Sequence, residues 1–227
     1  MIEAKLLVGR YLQFTPTPSR HLPGVAHVSV FVNVVCPPLT MQESTRKDPG
    51  GRFNPFRNVG GQRESAVVAG TNTHANKTHR NFKWLPWYAG DISETILDRD
   101  VLTGPMSGCT LLSYRRAGVA TVGHIGTVTV TDDVPVTVNT NVKAVWTNFA
   151  NAHAADVIGG FNPVDVTVPP HPPAQPGDVG GQTWGLFTTT GQFYAVQVWV
   201  QVGTTNNFRI AAVHQAPSMT LHQLQNL

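Results

Sequence analysis

The chain has 227 residues, enough for one sizeable core, and only 13% of them are charged against the roughly 25% usual in soluble domains. Val, Thr, Gly, Asn and Pro are abundant, which favours strands and turns over long solvated helices. The net charge of +3 comes from 16 basic and 13 acidic side chains with no basic block, so no nucleic-acid surface is expected, and no run approaches the roughly 18 apolar residues of a membrane span.

One domain over residues 1–227 is expected. Cys36 and Cys109 make a poor disulfide framework for this length and read as free thiols. The first residues show neither a long apolar core nor a small-residue cleavage site, so export, if it occurs, is expected by a route other than Sec.

In chain order, Val25 to Val35 is rich in β-branched residues and ends at Cys36-Pro37-Pro38, the pattern of an early strand. Thr40 to Arg80 is polar and rich in Gly, Asn and Arg, which predicts a long loop with one optional strand over Ser65 to Ala69. Phe82 to Tyr88 concentrates aromatics, and Asp91 or Ser93 can cap a short helix through Asp98. Thr110–Tyr114 and Val119–Thr131 read as a strand pair around Arg115-Arg116-Ala117-Gly118. Asn141 to Ala155 is the best helix, with Val142, Val145, Trp146 and Phe149 at helical spacing. A Pro-rich stretch over about 163–178 suits an extended strap, and Thr183–Thr189, Gln192–Val202 and Asn207–His214 read as a closing meander.

The central strand pair carries the chemistry. A hairpin centred between Arg116 and Ala117 sets Cys109 directly opposite His124, with Cβ atoms roughly 4.5–5.5 Å apart on one face. A neighbouring imidazole is what a thiol needs to become a nucleophile. Gly108 leaves room for a substrate carbonyl, and the N–H groups around Ser107, Gly108 and Cys109 can form an oxyanion hole. The same strand face also carries Ala120, Val122, Val128 and Val130, so a core histidine beside an inert thiol is the competing reading.

Thr103-Gly-Pro-Met-Ser-Gly-Cys-Thr110, followed fifteen positions after the cysteine by His124 in Val122-Gly-His-Ile-Gly-Thr127, resembles the catalytic region of the cytotoxic necrotizing factor deamidases. Trp84-Leu-Pro-Trp87 is similar to the segment ahead of Ser-Gly-Cys in the Burkholderia lethal factor type. The likeness covers Trp84 to about Thr127, with Met106 in place of a frequent leucine. It implies an α+β fold, a β-rich mixed sandwich of central strands decorated by helices and long loops. It also implies a toxin or effector, acting inside a host cell, that converts one glutamine of a host protein to glutamate; no cofactor is expected, and the oligomeric state, with a monomer expected, is not fixed by the sequence. Rho-family GTPases and a translation factor are the targets within that group. Cys109 is carried over as nucleophile and His124 as general base and acid. Thr103 is carried over as the residue whose backbone carbonyl orients the histidine, although in the necrotizing factors that carbonyl comes from elsewhere.

Trp84, Trp87 and Tyr88 either rim a substrate site or pack in the core, and Arg115 and Arg116 either steer an acidic partner or solubilise a turn. No metal site is expected: His74, His79 and His171 read as solvated loop residues, and Asp132 and Asp133 as turn residues rather than a carboxylate partner for His124. A non-catalytic β-sandwich module for binding or shell-building stays open, as do a cysteine protease and a transglutaminase using the same dyad.

Overall fold

The computed structural model describes residues 6, 8, 11–15, 21–22, 30–36, 38–44, 77–127, 141–166, 173–203 and 207–227. The early strands are β1 (Tyr11–Thr15), β2 (His21–Leu22), β3 (Phe31–Asn33), β4 (Pro38–Ser44), β5 (Lys77–Trp84), β6 (Trp87–Tyr88), β7 (Ile92–Ile96) and β8 (Val101–Thr103). A hairpin follows, β9 (Thr110–Arg116) and β10 (Val119–Ile125), then the helix α1 (Val142–Ala152) and β11 (Val157–Phe161). The chain closes with β12 (Asp178–Phe187), β13 (Phe193–Gln201), β14 (Asn207–Ala216) and the short helix α2 (Leu221–Leu224).

These strands form a β-rich α+β fold of two main mixed sheets. One sheet closes into a barrel in the order β1-β14-β13-β12-β8-β5-β4, with β4 pairing back onto β1. Period-two alternation decides what fills it: Trp184 and Leu186 of β12, Val196 and Val198 of β13, and Leu102 of β8 point inward onto Phe82, Trp84 and Phe208. The other sheet has the order β11-β9-β10-β7-β3 and uses both faces. One face carries Leu111 and Val122, which meet Val101, Phe187, Phe193 and Ala195 from the outside of the barrel. The opposite face carries Leu112, Tyr114 and Ile125, covered by Val142, Trp146 and Ala150 of α1 and by Leu224 of α2. The Trp146 indole N–H donates to the Leu224 carbonyl at 2.9 Å, and Thr220 with Gln223 forms a capping box at the start of α2.

Several expectations need correction. Ile92–Ile96 is a strand, not a capped helix, because Ile-Ser-Glu-Thr-Ile alternates between the two buried faces of the sheet. Pro38–Ser44 and Lys77–Trp84 are strands inside what read as an early stop and a long polar loop; they gain pairing partners from β1 and β8 that no local pattern announces. Of the segments expected as strands or strap, 25–29, 65–69, 128–131 and 167–172 lie outside the described residues, while Pro163–Val166 forms a short 3-10 turn. The α1 helix, the β9–β10 pair and the closing meander lie where periodicity placed them. Among the described residues, no helix is long and apolar enough to cross a membrane.

Candidate active site

The β9–β10 hairpin sets the site. Its turn is Ala117-Gly118, with φ of +48° and +79°, the left-handed pair of a two-residue turn whose twist suits the flanking strands. Arg116 therefore faces Val119, and His124 faces Leu111 on one side and Ser93 of β7 on the other. This corrects the expected pairing: Cys109 is not opposite His124 but lies two positions before Leu111, just ahead of β9. A shift of two keeps the side-chain face, whereas a shift of one would have moved Cys109 to the α1 side. Both residues border the layer between sheet and barrel, as diagonal rather than direct neighbours.

His124 is fully buried, and its ring is held from two directions. The Thr103 hydroxyl donates to the Leu85 carbonyl at 2.6 Å, which uses its one proton. Its 2.6 Å contact to His124 Nδ1 must then be an N–H donated by the imidazole. Thr103 orients the histidine through its side chain, not through the backbone carbonyl that the resemblance implied. It reaches His124 across the layer boundary, since β8 belongs to the barrel and β10 to the sheet. Trp87 stacks on the imidazole with ring centres 6.1 Å apart. Gly126 permits this approach, because a Cβ there would lie 1.9 Å from the Tyr88 carbonyl oxygen. With the proton on Nδ1, Nε2 carries a lone pair, and it has no hydrogen-bond partner among the described residues. Burial penalises the imidazolium and holds the His124 pKa down at about 3, so the ring is neutral at pH 7.

Cys109 is free and 2% exposed. Its Sγ lies 3.4 Å from Thr127 Oγ1, and no hydrogen bond joins it to His124. Next to it, a Cβ placed on Gly108 would meet nothing within 4 Å. Gly108 and Thr127 line a groove of about 680 Å³ whose far wall is the start of α1, including Asn141, Lys143 and Thr147. The N–H groups of Ser107, Gly108 and Cys109 take no part in the loop and turn hydrogen bonds among the described residues. Cys109 Sγ touches Thr127 of the groove wall, but neither Cys109 nor His124 is among the residues that line the groove.

The remaining candidates divide. Trp84 is 4% exposed inside the barrel, edge-on to Trp184 at 5.4 Å, so it does not rim a site. Trp87 is half-buried against His124, and Tyr88 is half-buried beside it. Arg116 is committed to Glu94 at 3.2 Å and to the Phe31 ring at 4.3 Å, whereas Arg115 is exposed. His74, His171, Asp132, Asp133 and the His79 side chain lie outside the described residues. Among the described residues, no group of three His, Cys, Asp or Glu side chains is placed to hold a metal. Sequence reading missed Thr127 and the Leu85 carbonyl, each brought to the site by a partner strand.

Comparison of the chain with protein-family models, with curated proteins and with solved structures finds no match.

Proposed function

We propose that the chain is a cysteine–histidine amidohydrolase that deamidates a glutamine of another protein. One observation carries the reading: His124 is fixed by Thr103 in the tautomer that leaves the Nε2 lone pair open and without a partner among the described residues, on the sheet face that Cys109 shares. A core histidine normally satisfies both nitrogens, so an orphaned Nε2 on the face that a thiol shares fits a site waiting for its reactants.

The chemistry follows from these parts. The Cys109 proton passes to Nε2 as sulfur bonds to the glutamine Cδ, and the N–H groups near Ser107 and Gly108 receive the oxyanion. His124 returns the proton to the leaving nitrogen, the C–N bond breaks and ammonia departs. Water then adds to the thioester, giving a proton to His124; the C–S bond breaks, the thiol is restored and glutamate results. Burial alone holds the His124 pKa at about 3, so proton transfer to Nε2 and bond formation at sulfur have to occur together. An amine in place of water would give transglutamination, and a peptide bond in place of the carboxamide would give proteolysis. A host-cell target and toxin-type delivery rest on the Ser-Gly-Cys resemblance.

A second reading is favoured by the burial of Cys109 and His124 and by the missing bond between them: a non-catalytic β-rich module in which both are core residues. Mass spectrometry of eukaryotic lysate, or of purified GTPases and translation factors, separates the two after incubation with wild type or Cys109→Ser. The deamidase reading expects one glutamine to gain about one dalton with wild type only. Unchanged substrates, with Cys109 alkylated no faster than Cys36, give the module reading first place.

A further inference from the structure

We propose that Thr127 is a positioning residue for the nucleophile, holding the Cys109 sulfur through its hydroxyl and donating a hydrogen bond to it once its proton has left; this rests on the amidohydrolase reading. Thr127 Oγ1, at 3.4 Å, is the one hydrogen-bond partner of Cys109 Sγ among the described residues. That contact can run in either direction. With a thiol, S–H can donate to the hydroxyl oxygen; with a thiolate, which has no proton, only the hydroxyl can donate. The bond therefore survives the proton transfer by reversing, and the negative sulfur keeps a donor in a place almost closed to water.

The placement suits that role. Thr127 follows the end of β10 by two residues, and its N–H bonds back to the Ile125 carbonyl at 3.1 Å, which ties the residue to the strand that carries His124. Gly126 between them is pinned by two backbone bonds, from Gly90 N–H to its carbonyl at 2.7 Å and from its own N–H to the Asp91 carbonyl at 2.9 Å. The base and the proposed donor thus come from one short segment, His124 to Thr127, and Thr127 lies on the groove wall.

The test is alkylation of the intact chain by iodoacetamide, itself a small primary carboxamide, with Cys109 and Cys36 followed in the same tube by peptide mass spectrometry. The expected result is that Thr127→Val slows Cys109 about tenfold, the effect of withdrawing one hydrogen bond from a developing anion, that Thr127→Ser keeps it within about threefold of wild type, and that Cys36 does not change. Thr127→Val reacting at the wild-type rate while His124→Asn is slow would overturn the positioning role and leave the dyad standing. Equal slowing by the Ser and Val variants, or a parallel change at Cys36, would overturn it too, since packing rather than the hydroxyl would then be responsible. If His124→Asn and Thr127→Val both match wild type, the amidohydrolase reading falls together with the role of Thr127.

Discussion

His124 has a hydrogen-bond acceptor on one side of its ring and, among the described residues, no polar partner on the other, and that asymmetry gives it a measurable signature. Burial lowers its pKa from the usual 6.5 to about 3, so the unfolded chain binds this proton more readily than the folded one. The contribution of the neutral ring to stability is complete above about pH 6.5 and is lost as the pH falls from there toward about 3. Wild type should therefore lose about 2 kcal/mol more than His124→Gln between pH 7 and pH 5, read as the difference in urea unfolding free energy. Equal losses would mean that the imidazole gains a proton without unfolding. Cys36 differs in kind: desolvation pushes its thiol up, despite a hydrogen bond from Thr95 and the Lys83 charge that pull it down, which is why it serves as the slow internal reference for Cys109.

At the scale of elements, the candidate site is a junction between β8 of the barrel and β10 of the sheet, joined by the Thr103 hydroxyl. Replacing Thr103 by Val keeps the shape but strands the Nδ1–H in a dry layer, at a cost of about 1–3 kcal/mol for a buried donor left without an acceptor. The expected outcome is a lower urea midpoint for Thr103→Val, with a smaller loss for Thr103→Ser, which retains the oxygen; the reverse order would show that the methyl group matters more than the bond. The hairpin shows how finely its geometry depends on the turn. Moving the turn centre from Arg116-Ala117 to Ala117-Gly118 slides Cys109 from direct to diagonal opposition with His124, yet the even shift leaves both bordering the same layer.

At the scale of the whole molecule, the layer between barrel and sheet is shared: Phe187, Phe193 and Ala195 from one side pack on Leu111, Val122 and Phe161 from the other. Neither sheet can open without exposing that surface, so a single cooperative transition is expected. Trp184 lies in the barrel and Trp146 on the α1 face, and the urea transitions of two chains that keep only one of them, the other four tryptophans being replaced by Phe, should coincide. Separated midpoints would mean two independently stable parts.

The residue pattern by itself determined the strand-rich class, the α1 helix, the β9–β10 pair and the closing meander, because local periodicity and turn chemistry act over a few residues. Tertiary structure decided the rest. Whether Ile92–Ile96 became helix or strand, whether Pro38–Ser44 and Lys77–Trp84 paired, and whether Trp84 faced solvent or the barrel interior depended on partner strands distant in the chain. The same holds at the site. Thr103 meets His124 because two sheets pack face to face, and Thr127 meets Cys109 because the strands of one hairpin run in register; hydrogen bonds that close only when distant segments are already packed leave no mark on the local pattern.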